Sequence, residues 1–162
     1  MQKTMALKDL TYYIYNTPFG QVTIGSDGSA ITALSIGAKK FSGHFAPSTL
    51  TNTCSTQVLE YLCGKRTSFD VPIRLNGSDF QIKVWKALQN VLYGEVITPQ
   101  QLAKMIGKES SFRRIPVAAH ANKISIIVPN HRLVPASNFE KPSLAEKMRH
   151  ALRTIEKKHA LG

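Results

Sequence analysis

The sequence predicts two domains: an α/β domain over residues 1–76 and a mostly α domain over residues 77–162 that contains a helix-turn-helix. Three observations carry this. The first half alternates short β-prone runs with Gly- and Pro-containing turns. The second half shows apolar residues at helical spacing behind capping residues. Between them lies Asn76-Gly77-Ser78, a cluster that breaks either kind of element. The length of 162 residues suits one domain or two small ones.

Taken in order, Tyr12-Tyr13-Ile14-Tyr15 is a strand that ends at the turn cluster Asn16-Thr17-Pro18-Phe19-Gly20. Val22-Thr23-Ile24 and Ile31-Thr32-Ala33-Leu34-Ser35-Ile36 flank Ser26-Asp27-Gly28-Ser29, and Asp-Gly between alternating runs signals a hairpin. Residues 39–48 read as a loop. Val58, Leu59 and Leu62 lie on one face of a helix over Thr53–Leu62, which stops at Gly64. Phe69 to Leu75 is extended. In the second half, Asp79 or Ser78 can cap a helix from Phe80 to about Leu92, whose apolar face is Val84, Trp85, Leu88, Val91 and Leu92. Thr98-Pro99-Gln100-Gln101 combines an N-cap Thr, a Pro at the first position and a Gln three residues after the cap, and starts a helix that ends at Gly107. Ser110 caps a basic helix expected through about Ala121. Two short helices about a Gly-containing turn read as a helix-turn-helix. A buried strand at Ile124–Val128, a polar turn at Asn130, a loop and a basic helix from Ser143 to about His159 complete the chain.

The net charge of +11 is uneven. Residues 1–79 carry seven Lys/Arg against five acids, net +2, and residues 80–162 carry fourteen against five, net +9. A polyanion partner, most simply nucleic acid, or a merely basic surface would both account for this. No run approaches the roughly 20 apolar residues of a membrane span. The N-terminus lacks the apolar core of a secretory signal, so cytoplasmic residence, at the nucleoid or in a nucleus with DNA, is the expectation. The two cysteines, Cys54 and Cys63, match no zinc spacing and suggest no disulfide framework, and the five histidines are scattered. No metal and no cofactor are expected.

Several segments together resemble the O6-alkylguanine-DNA alkyltransferase family across nearly the whole chain. They are Thr17-Pro18-Phe19-Gly20, Glu60-Tyr61-Leu62-Cys63-Gly64-Lys65-Arg66, Phe80-Gln81-Ile82-Lys83-Val84-Trp85-Lys86-Ala87-Leu88, Tyr93-Gly94-Glu95-Val96-Ile97 and Val128-Pro129-Asn130-His131-Arg132. The resemblance implies a ribonuclease-H-like N-terminal domain and a winged-helix-like C-terminal domain. It also implies a recognition helix in the minor groove and a damaged base flipped out of the duplex, since the O6 substituent is inaccessible inside the stack. An arginine then fills the vacated space, and Arg113 falls at that position, with Arg114 as the neighbouring substitute; both can equally hold phosphates. Thr98, Gln100, Ser111, Lys123 and Arg132 are the further DNA-contact candidates. Asn122, Pro129, Asn130 and Phe139 are the pocket candidates, and Asn122 also suits a helix C-cap. His131 in the family relays a proton from the thiol through water to a Glu, for which Glu156 is the candidate.

The family pattern has Cys where this chain has Asn130. A thiolate attacks saturated carbon, whereas the lone pair of a carboxamide nitrogen is held in resonance. On that ground the expectation from sequence is a catalytically inactive, non-enzymatic DNA binder, with His131 and Glu156 as relics of the relay. It would bind duplex DNA that contains O6-alkylguanine through the helix-turn-helix and hand it to a downstream repair protein. The alkyltransferase-like proteins, with Trp in place of the Cys, are the functional comparison. An alkyltransferase with a deliberately replaced nucleophile, or a regulatory module without lesion recognition, are the alternatives. Other departures favour natural divergence: Pro99 where the family has Tyr, Ile115-Pro116-Val117-Ala118-Ala119-His120 where it has a Gly-Gly pair, and a glycine-free stretch at residues 135–143 in which Phe139 replaces a Tyr. Pro116 should disturb or restart the second helix. A monomer is expected.

Overall fold

The computed structural model describes residues 10–134 and 144–161. The described residues divide into two compact units, one of residues 10–76 with 123–125 and one of residues 77–122 with 126–134 and 144–161.

In the first unit, the strands β1 (Thr11–Thr17), β2 (Gly20–Ser26) and β3 (Ile31–Ile36) form an antiparallel meander. The Asp27 turn joins β2 to β3: its Oδ1 accepts from the backbone N–H of Ser29 and Ala30, and its Oδ2 receives Arg74 Nε at 2.6 Å. A two-residue strand β4 (His44–Phe45) lies inside the stretch read as a loop and pairs parallel to β1, giving the order β3-β2-β1-β4. The helix α1 (Thr49–Leu62) begins four residues earlier than its apolar spacing indicated. Ser48 caps it, accepting from the Thr51 N–H while the Thr51 hydroxyl accepts from the Ser48 N–H. Ile24, Ile31, Leu34, Cys54, Val58 and Tyr61 are fully or almost fully buried in this unit.

The second unit is helical. Its α2 (Asp79–Gln89) is capped by Ser78 with Gln81, and α3 (Pro99–Met105) by Thr98 with Gln101, both as reciprocal capping boxes. Of the two residues the sequence offered as the cap of α2, Ser78 takes the role, and Asp79 sits in the first turn, where its charge favours the helix dipole. The second helix of the helix-turn-helix is broken. A 3-10 helix runs over Glu109–Arg114 and the α-helix α4 over Ile115–His120. Pro116 is in the first turn of α4, where its missing N–H costs nothing, so a helix can restart there but not pass through. The helix α5 spans Leu144–Leu161. Trp85 on α2 donates from Nε1 to the Ala118 carbonyl on α4 at 2.9 Å, fastening the helix-turn-helix to the core of the unit.

The strand expected at Ile124–Val128 does not form. Leu34 N–H donates to the Lys123 carbonyl and Ser125 N–H to the Leu34 carbonyl, so residues 123–125 make only an isolated bridge with β3. At Ile126 the backbone turns left-handed, with φ 73°, an uncommon value for a β-branched residue. Ile126, Ile127 and Val128 are buried as turns. A short apolar run signals burial, and periodicity alone could not say in which conformation.

Replacing Trp85 with Phe removes the donor from the buried Ala118 carbonyl. The expected cost is about 1–3 kcal/mol of unfolding free energy, measured by urea denaturation.

Candidate DNA interface and base-receiving turn

Pro129 is buried, and after it a single 3-10 turn carries Asn130, His131 and Arg132. Asn130 is half-buried, and its Nδ2 reaches the Ala119 carbonyl near the end of α4 through a long contact of 3.4 Å. Asn122, just past the end of α4, donates from Nδ2 to the Val128 carbonyl at 3.0 Å. This bond fastens the approach to the turn. The turn thus rests on the second helix of the helix-turn-helix through two side-chain amides.

Beneath the turn lies one carboxylate. Glu156, on α5, is 1% exposed and His131 is fully buried. Glu156 Oε1 accepts from Arg132 Nε at 2.8 Å and from the Gly94 N–H at 3.1 Å. Its Oε2 accepts from Arg132 Nη2 at 2.9 Å and pairs with His131 Nε2 at 2.6 Å. Four contacts from three residues on two oxygens meet the condition under which a buried ion pair holds: the guanidinium is bidentate, and an amide and an imidazole engage the same oxygens. Arg132 Nη1 also donates to the Val91 carbonyl at 2.7 Å, and Arg153, one turn before Glu156, donates to the His131 carbonyl at 3.0 Å. Burial pushes the His131 pKa below its ordinary value of 6.5; the Glu156 charge opposes this, and Arg132 beside it works against a second positive charge. His131 is therefore neutral, with its Nε2–H donating to Glu156. Gly94 has φ 85°, and a Cβ on it would stand 2.8 Å from the Ala160 Cβ, so this N–H can approach α5 only from a glycine.

The remaining candidates divide. Arg113 and Arg114 are exposed at the end of the 3-10 helix, Gln100 is exposed on α3, and Ser111 is half-buried. Thr98 spends its hydroxyl on capping α3. Lys123 is exposed but belongs to the first unit. Arg132 corrects its assignment as a DNA contact: it is 7% exposed and committed to Glu156, whose buried charge it neutralises through two hydrogen bonds. Phe139 lies outside the described residues. Sequence reasoning missed Gly94 and Arg153. The spacing of Arg153 and Glu156, three residues apart and hence on one helical face, was the available signal for Arg153. Cys54 is buried and its thiol is pushed up to about 12 by desolvation, whereas Cys63 is exposed; both are in the first unit.

Comparison with known proteins gives a consistent result. Residues 10–75 match the family description "6-O-methylguanine DNA methyltransferase, ribonuclease-like domain", and residues 79–158 match "6-O-methylguanine DNA methyltransferase, DNA binding domain". The chain is 35% identical over 130 residues to a methylated-DNA–protein-cysteine methyltransferase of Mycobacterium tuberculosis, covering 78% of this chain and 79% of the relative. It is 32% identical over 131 residues to the protein of that name from Methanosarcina acetivorans, covering 78% and 84%. Among solved structures, M. tuberculosis OGT in complex with DNA is similar with a TM-score of 0.83 at 32% identity, covering 92% of this chain and 94% of that one. These relatives correct the expectation that the chain is not an enzyme: they carry the name of a methyltransferase, and the likeness extends over both units. That expectation rested on the single side chain of Asn130, which weighs less than identity over 130 residues. Among the described residues, no helix is long and apolar enough to cross a membrane.

Replacing Glu156 with Gln leaves the Arg132 charge buried without its counter-ion. The expected loss is roughly 3–5 kcal/mol of stability, read by chemical denaturation at about pH 7.5. The lowered pKa of His131 adds a pH dependence. Below about 6.5 the unfolded chain takes up a proton that the folded chain refuses, so stability falls as pH drops below 6.5 and levels off below the folded-state pKa. Substituting His131 by Gln should flatten that part of the stability profile.

Proposed function

Because this chain belongs to the 6-O-methylguanine DNA methyltransferase family, we propose that it binds duplex DNA through the helix-turn-helix of its second unit and receives an O6-alkylated guanine at the Asn130 turn. The observation that carries this reading is the joint between α4 and the turn. Asn130 touches the Ala119 carbonyl and Asn122 holds the Val128 carbonyl, so the element that would meet the duplex and the turn that would meet the base are one assembly.

In this reading the duplex lies against α3, the 3-10 helix and α4, and exposed Arg113 enters the stack as the base leaves it. A base must leave the stack before its O6 substituent can be reached. Filling the vacancy offsets part of the unstacking cost, on the order of a few kcal/mol. The resemblance sets Asn130 at the acceptor position of the family, and this reading takes it as the residue that meets the base. Its amide exchanges a 3.4 Å contact to Ala119 for the hydrogen-bonding edge of guanine, with both a donor and an acceptor to offer. His131, fully buried and paired with Glu156, anchors the turn beneath Asn130. A regulatory module that has abandoned lesion recognition is the outcome that the following experiment excludes or supports.

The test is the ratio of affinities for one duplex with and without O6-methylguanine, at one fixed salt concentration, since salt alone shifts nonspecific binding steeply. The expected ratio is well above one, and Arg113→Ala should lower it by about 1–3 kcal/mol of discrimination. A ratio of one for the unaltered protein contradicts the reading. The fate of the alkyl group is followed in the same samples with a labelled methyl, whose position on the protein names the accepting atom.

A further inference from the structure

A cleft of about 340 Å³ opens on the second unit between the start of α2 and the 3-10 helix, lined by Asp79, Phe80, Lys83, Lys108, Ser111 and Arg114. None of these residues belongs to the Asn130 turn or to the cluster around Glu156. Three cations reach it from three segments: Lys83 from α2, Lys108 from the turn after α3, and Arg114 from the end of the 3-10 helix. One carboxylate, Asp79, shares it. Among the described residues, Lys83, Lys108 and Arg114 form no ion pair. The guanidinium of Arg114 lies 4.2 Å from the centroid of the Phe80 ring. Stacking engages one face of the guanidinium and leaves its in-plane N–H donors for an acceptor, while limiting the rotamer freedom lost when that acceptor arrives. The neighbouring Arg113 has only the weaker position 5.4 Å from Phe112.

We propose that this cleft is a phosphate seat that holds one stretch of the sugar–phosphate backbone of duplex DNA, with Arg114 as its forked ligand and Lys83 and Lys108 as its point charges. This rests on the DNA-binding reading above and deepens it. Arg113 and Arg114 are adjacent in sequence but act on different parts of the duplex. Arg113 serves the lesion, and Arg114 serves the backbone of any duplex. Phosphate contacts fix position and carry no information about the base, so the cleft contributes affinity without discrimination. Asp79 sets the seat below its greatest strength, because its charge opposes the phosphate.

The experiment measures dissociation constants of the unaltered protein and of the double variant Lys83→Ala/Lys108→Ala for modified and unmodified duplex across a salt series. Both affinities should fall together, with the ratio between them unchanged and the log–log salt slope shallower by about one per lysine removed. Arg114→Ala should behave in the same way, and Asp79→Asn should move both affinities in the opposite direction, which misfolding would not do. An unchanged salt slope in the double variant, with the unaltered protein binding normally, overturns the phosphate seat and leaves the DNA-binding reading standing. Failure of the unaltered protein to bind any duplex overturns both. A ratio that collapses in Arg114→Ala overturns the division of labour between the two arginines. Inorganic phosphate at constant ionic strength should displace the duplex only at high millimolar concentration; displacement at micromolar concentration would make the cleft a site for free phosphate and overturn the assignment to the DNA backbone.

Discussion

A single buried carboxylate organises the second unit. Glu156 takes a charge into a place where desolvation alone would cost several kcal/mol. The structure offsets this with a bidentate guanidinium, a backbone N–H and an imidazole N–H, all on the same two oxygens. Each partner in turn belongs to a different piece of backbone. Arg132 reaches on to the Val91 carbonyl after α2, Gly94 ties in the following turn, and His131 is the central residue of the Asn130 turn. Removing any partner leaves a buried polar group unmet, so the position of the turn is set by electrostatic necessity rather than by loop preference.

Around that centre, the arrangement suits a protein that must be stiff where it meets the base and exposed where it meets charge. Conformational entropy would otherwise be lost on binding, and a preorganised turn avoids that loss. The helix-turn-helix is fastened by Trp85 to Ala118, by Asn122 to Val128, and by a reciprocal cap at Thr98. Its arginines remain on the outside. The break at Pro116 separates a short 3-10 helix bearing Arg113 and Arg114 from the α4 segment bearing Ala118 and Ala119, so the charged and the packed parts of the recognition element are distinct pieces of backbone.

Much of this was legible in the residue pattern, and the exceptions have physical causes. Local signals carried well. Asp27-Gly28 set the hairpin, Thr98-Pro99 with Gln101 set α3, and Pro116 set the break, because each acts through its own backbone. The charge asymmetry located the basic unit, and the pairing of His131 with Glu156 came from the family resemblance rather than from spacing; the two lie 2.6 Å apart. Long-range pairing did not carry. The two-residue β4 exists only because β1 offers it an edge. The 124–128 run, apolar enough for a strand, is buried as turns because Ile126 adopts a left-handed backbone. Arg132 was a candidate DNA contact, and only the three-dimensional location of Glu156 shows why it is inside. The inference from Asn130 to a chain without enzymatic activity failed differently: it took one position as decisive where relatedness over both units bears on the whole chain.

The claim that Glu156 is ionised, neutralised by Arg132, and holds His131 neutral through Nε2 can be checked at the imidazole itself. Nitrogen-15 spectra of the His131 ring at about pH 7.5 should show one protonated and one unprotonated nitrogen, with the proton on Nε2, and on acidification the ring should gain its second proton at a lower pH than the same histidine in the unfolded chain. A His131 ring that gains its second proton near 6.5, as a solvent-exposed histidine does, would contradict the account.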